Sequence, residues 1–428
     1  MPLDPEPSRP PALLIVGAGN AGAELAVAAR QQGWAGAITL LGDEPHLPYH
    51  RPPLSKAYLA GSAPADTLTI RQQAAYDKAL VSVRTGVKVQ RIAPAARCVV
   101  LDDGSTLAYD KLALCTGGSA RQLRVDGLAE GAAPNNLFYL RRREHSDAMR
   151  AALLPGTRLV VIGGGYIGLE VAASARKLGA EVTVLEALPR VLARVTGPQL
   201  SAFYESVHRE AGVDVRAGVA VVRVDCADDG RVTAVVCADG SRIPADVLVV
   251  GVGMLPNVAL AEAAGLVVDG GIVVDALCTT SDPDIFAAGD CTVHDNLAYG
   301  RRIRLESVPN ALEQARVVAA TLCGKPRAAP AAPWFWSDQY ALKLQMVGLC
   351  EGFDEFVLRG DMAQRSFIGF YLRRGQLIAA DAVNRPAEFM VAKRLVGEGL
   401  AVTAAALADE AQPLKQLLPA PPVAPASA

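Results

Sequence analysis

The sequence predicts an α/β fold with two Rossmann-like units, followed by a smaller α+β C-terminal domain. An apolar run at residues 13–16 leads into a glycine-rich turn and then an apolar helical pattern. The same order of strand, turn and helix returns from residue 158. A hairpin-and-helix pattern after residue 366 resembles neither unit, which indicates a third domain of another kind.

The first turn has the spacing GxGxxG, formed by Gly17, Gly19 and Gly22. Gly17 permits a tight turn, Gly19 leaves room for a pyrophosphate, and Gly22 lets helix and strand pack closely. The phosphates would lie at the helix N-terminus, where free N–H groups and the dipole favour negative charge. Alone the motif is weak evidence, because glycines also mark ordinary turns.

The second turn repeats this spacing, which strengthens the interpretation. Gly163, Gly165 and Gly168 follow the second apolar strand, and Glu170 corresponds to Glu24 of the first unit. A repeat with the same internal spacing predicts two dinucleotide-binding domains.

An acidic residue follows the next strand of each unit. Glu186 ends a strand predicted at 182–186, where a carboxylate accepts a hydrogen bond from a ribose 2′-hydroxyl and repels a 2′-phosphate. The second unit therefore favours NADH over NADPH, although Arg190 and Arg194 could weaken that preference. Asp43 has the corresponding place in the first unit, where an ordinary loop acid is an equally good interpretation.

Composition limits the classes of partner. The 428 residues include 42 Lys and Arg and 44 Asp and Glu, so neither nucleic acid nor a membrane surface is indicated. No apolar run reaches the roughly 18 residues of a membrane span. Residues 1–11 lack a signal pattern, so we expect a cytoplasmic location. The eight cysteines form no CxxC pair and no zinc spacing with histidine, so no metal site is predicted.

Other segments carry local signals. Prolines stiffen residues 48–53, so Arg51 and Lys56 should be held on a rigid entry to a helix. Asp290 follows an apolar strand and a glycine, where it could cap the next segment or bind a polyol chain. A helix is predicted over 307–322, with Ser307 as its N-cap.

The C-terminal region begins after a proline-rich linker at 329–333. Hairpin strands are predicted at 367–372 and 377–383, and a helix at 387–396. Residues 419–428 are rich in proline and alanine and predicted to be disordered.

Several motifs then occur in a fixed order: the tandem GxGxxG turns, Arg-Pro-Pro-Leu-Ser-Lys at 51–56, Thr-Gly-Gly at 116–118, Ala-Ala-Gly-Asp at 287–290, Glu-Ser-Val-Pro-Asn-Ala at 306–311 and Trp-Phe-Trp-Ser-Asp-Gln-Tyr at 334–340. The chain resembles the FAD-dependent NADH:ferredoxin reductases of bacterial oxygenase systems. The resemblance extends from residue 13 to about residue 398.

This resemblance implies a glutathione-reductase-like arrangement. Residues 1–118 and 249–329 would form a discontinuous FAD domain, residues 119–248 an NAD domain, and residues 330–428 an interface domain. It implies that FAD binds Gly17, Gly19, Asn20, Ala21, Gly22, Asp43, Arg51, Lys56, Thr116, Gly117, Asp290, Val308 and Trp336. It implies that NADH binds Gly163, Gly165, Tyr166, Ile167, Gly168, Glu186 and Arg194.

The implied reaction passes a hydride from NADH to flavin N5. We hypothesise that Lys56 and Glu170 pair beside N5 as the catalytic residues, because a fixed cation favours the reduced flavin. The alternative is that Glu170 merely suits the first turn of its helix.

The cysteine pattern bears on the electron acceptor. No cysteine lies between Gly17 and Cys98, where disulfide reductases and NADH peroxidases of similar architecture need one. Electrons should therefore leave the flavin directly, for a two-iron, two-sulfur ferredoxin docked over Trp334 and Trp336. Such ferredoxins are acidic, so we expect a transient electrostatic contact with a basic rim: Arg71, Arg301, Arg302, Arg304, Arg316, Lys343, Lys393 and Arg394. A monomer or weak dimer is expected.

Two other interpretations stay open. One is a rubredoxin reductase, or an NADH oxidase that reduces oxygen or a small quinone. The other is a flavoprotein binding or signalling module whose assembly changes with NADH.

Overall fold

The computed structural model describes residues 10–128, 134–296, 298–329 and 332–419. Its first unit is a five-stranded parallel sheet. In spatial order the strands are Ile285–Ala287, Lys111–Leu114, Leu13–Val16, Ile38–Leu41 and Val81–Arg84. The edge strand at 285–287 comes from a distant part of the chain, so this unit is built from two separate segments.

Two helices cover one face of the first sheet. Asn20–Gln32 ends at Gly33, whose φ of 107° provides a left-handed cap. Val308–Leu322 packs against it, and both contribute small residues such as Ala26 and Ala315 to one buried cluster. The predicted helix over 307–322 is confirmed, including the N-cap: Ser307 Oγ accepts a hydrogen bond from the Asn310 N–H at 3.2 Å.

The second unit repeats the first. Its parallel strands, in spatial order, are Val213–Ala217, Glu181–Glu186, Arg158–Ile162, Val247–Val250 and Leu137–Phe138. Its helices are Arg143–Ala152, Tyr166–Lys177 and Pro198–Glu210. The predicted α/β repeat is confirmed. The domain division itself stays a prediction, but a boundary between 248 and 249 would cut a strand that pairs with Arg158–Ile162, so it belongs after residue 250.

Smaller strands and helices are added to both units. Antiparallel strands are Val89–Ala93, Cys98–Leu101 and Thr106–Ala108; Gly118–Ala120 and Met254–Pro256; and Val221–Cys226, Val232–Cys237 and Arg242–Pro244. A mixed sheet contains Ile272–Val274, Thr292–Asn296 and Arg301–Ile303. Short helices are Gln73–Lys78 and Ala259–Ala263, and 3₁₀ turns are Pro52–Ser55, Ala65–Leu68 and Pro94–Ala96.

The C-terminal domain is an antiparallel sheet with helices. Its strands, in spatial order, are Trp334–Gln339, Leu342–Gly348, Gln376–Val383, Ser366–Arg373 and Glu355–Asp361. Helices Pro386–Gly397 and Ala404–Ala408 and the 3₁₀ turn Leu414–Leu417 follow. The predicted hairpin and the helix at 387–396 are confirmed.

Two terminal predictions concern residues that are largely outside the described ranges. They are the signal-free N-terminus at 1–11 and the disordered tail at 419–428, of which 10, 11 and 419 are described. In the ranges given above, no helix combines the length and apolar character needed to cross a membrane.

Candidate active site

One cavity of about 640 Å³ lies where the two units face each other, and both glycine turns open onto it. Its wall includes most residues predicted for the first cofactor: Gly17, Gly19, Asn20, Ala21, Asp43, Arg51, Lys56, Thr116, Gly117, Asp290, Val308 and Trp336. It also includes Gly163, Gly165, Tyr166, Ile167, Glu186 and Arg194 from the second set, and Glu170, the predicted catalytic partner of Lys56. The structure thus gathers the two predicted binding sets around one space.

The glycines of the first turn have separate roles. A Cβ on Gly22 would stand 2.0 Å from the Gly17 carbonyl oxygen, so Gly22 serves packing and does not face the cavity. Gly17 has φ +111°, which favours glycine, whereas a Cβ on Gly19 would meet no atom within 4 Å. The space beside Gly19 is open to a ligand.

The second turn has the same construction. A Cβ on Gly168 would stand 2.0 Å from the Gly163 carbonyl oxygen, and one on Gly165 would meet nothing within 4 Å. Each turn therefore leaves the same open space at a helix N-terminus, where backbone N–H groups suit a phosphate group.

Glu186 lies directly beside the second turn. Its Oε2 accepts a hydrogen bond from the Gly164 N–H at 2.7 Å, and its Oε1 accepts one from the Leu188 N–H at 2.8 Å. These bonds fix the carboxylate at the cavity wall. Arg194 also faces the cavity, but Arg190 donates to the Thr196 and Ala193 carbonyl oxygens and so is used within its own loop. Of the two arginines, only Arg194 is placed to meet a 2′-phosphate.

Two consecutive acids follow the second strand of the first unit, and their surroundings differ. Asp43 lines the cavity and pairs with Arg142, while the next residue, Glu44, is buried. Glu44 accepts hydrogen bonds from Arg51, at 2.6 Å, and from the Tyr49 hydroxyl, at 2.5 Å. Burial, the largest single effect, opposes ionisation of Glu44, but the charge of Arg51 and the hydrogen bonds from Tyr49 and Arg51 together outweigh it, so the pKa of Glu44 is lowered. Arg51 is thereby locked at the cavity wall.

Arg141 is a cavity residue that the sequence did not reveal. Its guanidinium lies 3.7 Å from Asp290 Oδ2, and burial, followed by the neighbouring charge of Arg51, lowers its pKa. Burial also raises the pKa of Asp290, against the opposing effect of Arg141. Two confined arginines create a positive region beside the first turn. Arg141 belongs to a run of three arginines at 141–143 that looks like a solvated surface in the sequence.

Lys56 and Glu170 meet at the junction of the two units. Lys56 Nζ lies 2.6 Å from Glu170 Oε2, and the Glu170 side chain is only 3% exposed. Glu170 Oε2 also accepts from Ser55 Oγ at 2.6 Å, and Oε1 accepts from Ser337 Oγ at 2.5 Å. Glu170 lies beyond the first turn of its helix, so the helix-end alternative does not explain its position. Ser337 was part of a recognised motif but was not predicted to bind Glu170.

The cavity fits two dinucleotides by its own chemistry. Asn20 Oδ1, in the first turn, is buried and has no hydrogen-bond partner among the residues that the structure describes. A buried polar atom of this kind needs a partner, which a bound ligand can supply. The open spaces at Gly19 and Gly165 and the cationic wall suit phosphate groups.

The aromatic segment at residues 334–336 extends from the cavity to the predicted partner surface. Trp336 and Phe335 line the cavity, and the Trp334 ring centroid lies 5.7 Å from that of Trp336. Lys393 Nζ lies 4.4 Å from the centroid of Trp334. The structure therefore brings two predicted interface residues, Trp334 and Lys393, into direct contact.

The predicted basic rim is largely neutralised by internal ion pairs. Arg71 and Arg316 share Glu24, at 2.7 and 2.8 Å. Arg301, Arg302, Arg304 and Arg394 pair with Glu351, with Asp269 and Asp295, with Glu306 and with Glu398, respectively. Within the described part of the chain, Lys343 and Lys393 form no ion pair, so the rim presents less free positive charge than the sequence suggested.

Two parallel-sheet units whose glycine turns share one cavity define an oxidoreductase that uses two dinucleotides. Residues 11–315 match the family described as pyridine nucleotide-disulphide oxidoreductase, and residues 334–418 match the reductase C-terminal family. The chain belongs to the pyridine nucleotide-disulphide oxidoreductase family, whose ferredoxin reductase members use FAD and NAD(P)H.

Curated relatives resemble the whole chain. Putidaredoxin reductase CamA of Pseudomonas putida is 50% identical over 95% of this chain and 97% of its own length. A ferredoxin–NAD(P)(+) reductase of a Sphingomonas species is 45% identical over 95% and 97%. Among solved structures, the covalent putidaredoxin reductase–putidaredoxin complex matches with a TM-score of 0.92 and 50% identity, covering 96% of this chain and 98% of that one.

Proposed function

We propose that the protein is an FAD-dependent NADH:ferredoxin oxidoreductase. Its acceptor would be a two-iron, two-sulfur ferredoxin that supplies a monooxygenase or a dioxygenase. The observation that carries the proposal is the single cavity shared by two dinucleotide-binding turns, with Lys56 and Glu170 at their junction. The relatives named as ferredoxin reductases support the same acceptor.

The reaction balances as one NADH and two oxidised ferredoxins giving NAD⁺, two reduced ferredoxins and one proton. Bound FAD would supply the chemistry that links a two-electron hydride donor to one-electron acceptors. The protein contributes binding, orientation and a fixed electrostatic field.

The first unit would hold FAD. The N–H groups at Gly19, Asn20 and Ala21 would bind the pyrophosphate, and Arg51 and Arg141 would neutralise its charge. Asp43 and Asp290 would accept hydrogen bonds from ribose and ribityl hydroxyls, and Val308 would present the helix N-terminus to the flavin ring. The second unit would hold NADH, with Glu186 selecting the 2′-hydroxyl.

Lys56 would provide a positive charge at the reacting end of the cavity. Its Nζ is held by Glu170 Oε2 and by the Pro52 carbonyl oxygen, at 2.6 and 3.2 Å. A cation fixed in advance stabilises negative charge as it develops and needs no reorganisation. Glu170 would orient Lys56.

The thiols support direct transfer to an external acceptor. All eight cysteines are unpaired. Cys115 lines the cavity but is buried, and burial raises its pKa well above the ordinary value, so its reactive thiolate form is disfavoured. Unpaired thiols also suit the reducing cytoplasm, which is the proposed location. The proposed oligomeric state is a monomer or weak dimer.

Steady-state reduction of cytochrome c by NADH tests the acceptor. With a two-iron, two-sulfur ferredoxin present, we expect a rate more than tenfold above the rate without it. Rapid oxygen consumption without ferredoxin would indicate an oxidase, and negligible turnover a binding module. Rubredoxin should be compared as well, because a rubredoxin–NAD(+) reductase of Pseudomonas putida is 37% identical over 88% of this chain.

The Lys393→Glu variant tests the interface. We expect the KM for ferredoxin to rise roughly threefold to tenfold, because an acidic partner would meet a reversed charge beside Trp334. Flavin reduction by NADH should not change. Added salt should raise the wild-type KM and narrow the difference between the two proteins.

Arg242, an exposed cation on a different sheet that pairs with Asp225, provides a control for charge reversal away from the interface. Arg242→Glu should leave the KM for ferredoxin unchanged. Equal effects of the two variants, or a KM that does not depend on salt, would remove Lys393 from the interface.

A further inference from the structure

A line of hydrogen bonds connects Glu170 to Tyr340. Ser337 Oγ lies 2.5 Å from Glu170 Oε1, and Gln339 Nε2 lies 3.3 Å from Ser337 Oγ. Gln339 Oε1 lies 2.9 Å from His208 Nε2, and His208 Nδ1 lies 3.0 Å from the Tyr340 hydroxyl. Ser337 and Gln339 are two residues apart on one strand, so their side chains lie on the same face.

The direction of every bond is determined by its neighbours. The Gln339 amide nitrogen can only donate, so the Ser337 hydroxyl proton is left for Glu170 Oε1. The Gln339 carbonyl oxygen can only accept, so His208 carries its proton on Nε2 and accepts from Tyr340 on Nδ1. His208 is fully buried, and burial lowers its pKa to about 4, so at pH 7 it has the single proton that this arrangement needs. In all four bonds the donor is therefore on the Tyr340 side and the acceptor on the Glu170 side.

The line is suited to orientation and not to proton conduction. A primary amide at Gln339 neither gains nor loses a proton near neutral pH, so it interrupts a relay. Hydrogen bonds that point the same way polarise one another, however, and strengthen the last bond of the series. That last bond ends on the carboxylate that pairs with Lys56.

We propose that Ser337, Gln339, His208 and Tyr340 are positioning residues for the Lys56–Glu170 pair. Their bonds stabilise negative charge on Glu170 and keep Oε2 turned to Lys56, so they set the field that Lys56 exerts in the cavity. The inference rests on the proposed flavin function. It assigns part of the control of the reduction potential to a histidine and a tyrosine outside the cofactor sites.

The midpoint potential of the bound flavin tests this inference. Ser337→Ala should make flavin reduction about tenfold less favourable, which is about 30 mV for a two-electron couple. Tyr340→Phe should make flavin reduction roughly threefold less favourable, because it removes the hydrogen bond at the far end of the line and so weakens the bond to Glu170. In the Ser337→Ala background Tyr340→Phe should add nothing, since the line is already cut.

Tyr204→Phe is the matched control. Tyr204 lies four residues before His208 on the same helix, and its buried hydroxyl has no hydrogen-bond partner in the described part of the protein. Removal of that hydroxyl should leave the potential unchanged. His208→Leu should lower the midpoint potential about as much as Ser337→Ala does. His208→Gln keeps an N–H near the Nε2 position, so it should lower the potential less than His208→Leu.

Two results would overturn the inference: an unchanged potential in a folded, FAD-loaded Ser337→Ala protein, or additive shifts in the double variant. If Ser337→Ala does not fold, the comparison of His208→Leu with His208→Gln decides the question. Wild-type protein that lacks flavin, or that fails to reduce ferredoxin, would contradict the proposed function instead. The potentials are measured without ferredoxin, so the two failures are distinct.

Discussion

Lys56→Met should slow NADH-dependent flavin reduction about 100-fold in stopped-flow measurements, because it removes a preorganised charge from the site of reaction. Methionine retains the length and apolar part of the side chain. The amount of bound FAD should change little, since the proposed pyrophosphate site is formed by Gly19, Arg51 and Arg141 and does not include Lys56. The effect should fall on the rate at saturating NADH and not on the apparent affinity for NADH.

The buried Glu170 carboxylate complicates this variant. Without Lys56 it loses its counter-charge. This loss costs about 3–5 kcal/mol of stability in a fully buried pair, and the 16% exposure of the Lys56 side chain makes the cost smaller here. The double variant Lys56→Met with Glu170→Gln removes the stranded charge and should restore melting temperature but not rate. Lys111→Met, which breaks the partly exposed pair with Asp284, serves as a control. Wild-type kinetics in the folded Lys56→Met protein would show that its charge has no catalytic part.

The Gly22→Ala and Gly168→Ala variants test separately which cofactor each glycine turn binds. Each added Cβ would stand 2.0 Å from a carbonyl oxygen, of Gly17 or Gly163, so backbone must move in both variants. Gly22→Ala should give protein purified without flavin. Gly168→Ala should give yellow protein whose flavin is reduced by dithionite but at least about 100-fold more slowly by NADH, because misplacement of about 1 Å has effects of this size.

Absorbance at the flavin maximum and anaerobic NADH titration distinguish the outcomes. Gly397→Ala is a suitable control, because its Cβ would make an ordinary contact of 3.9 Å with Ala332. Loss of flavin in Gly168→Ala, with retention in Gly22→Ala, would reverse the assignment of the two cofactors.

Local patterns were sufficient to predict the repeated units. The strand, turn and helix around Gly17 and Gly163 each occupy a short segment whose glycine spacing is dictated by backbone contact, so the sequence contains the whole constraint. The same holds for the helix beginning at Val308, where Ser307 and Pro309 mark the N-terminus.

Contacts between distant segments could not be predicted in this way. Arg141 reaches Asp290, and Ser337 reaches Glu170, across large separations in the chain. No local pattern distinguishes these side chains from a surface arginine or a serine in a strand. The ion pairs within the predicted basic rim were equally hidden in the sequence, because the acid that pairs with Arg71 and Arg316 comes from the first helix, at Glu24.

Glu170 also affects how the molecule fluctuates. Its carboxylate is shared by the 3₁₀ turn Pro52–Ser55 with Lys56, by the helix Tyr166–Lys177 and by the strand Trp334–Gln339. If one of these segments lifts away alone, a buried charge loses a partner at a cost of several kcal/mol. Amide protons in all three segments should therefore exchange with solvent through one shared opening event, so the Lys56–Glu170 pair also joins these segments into one cooperative unit.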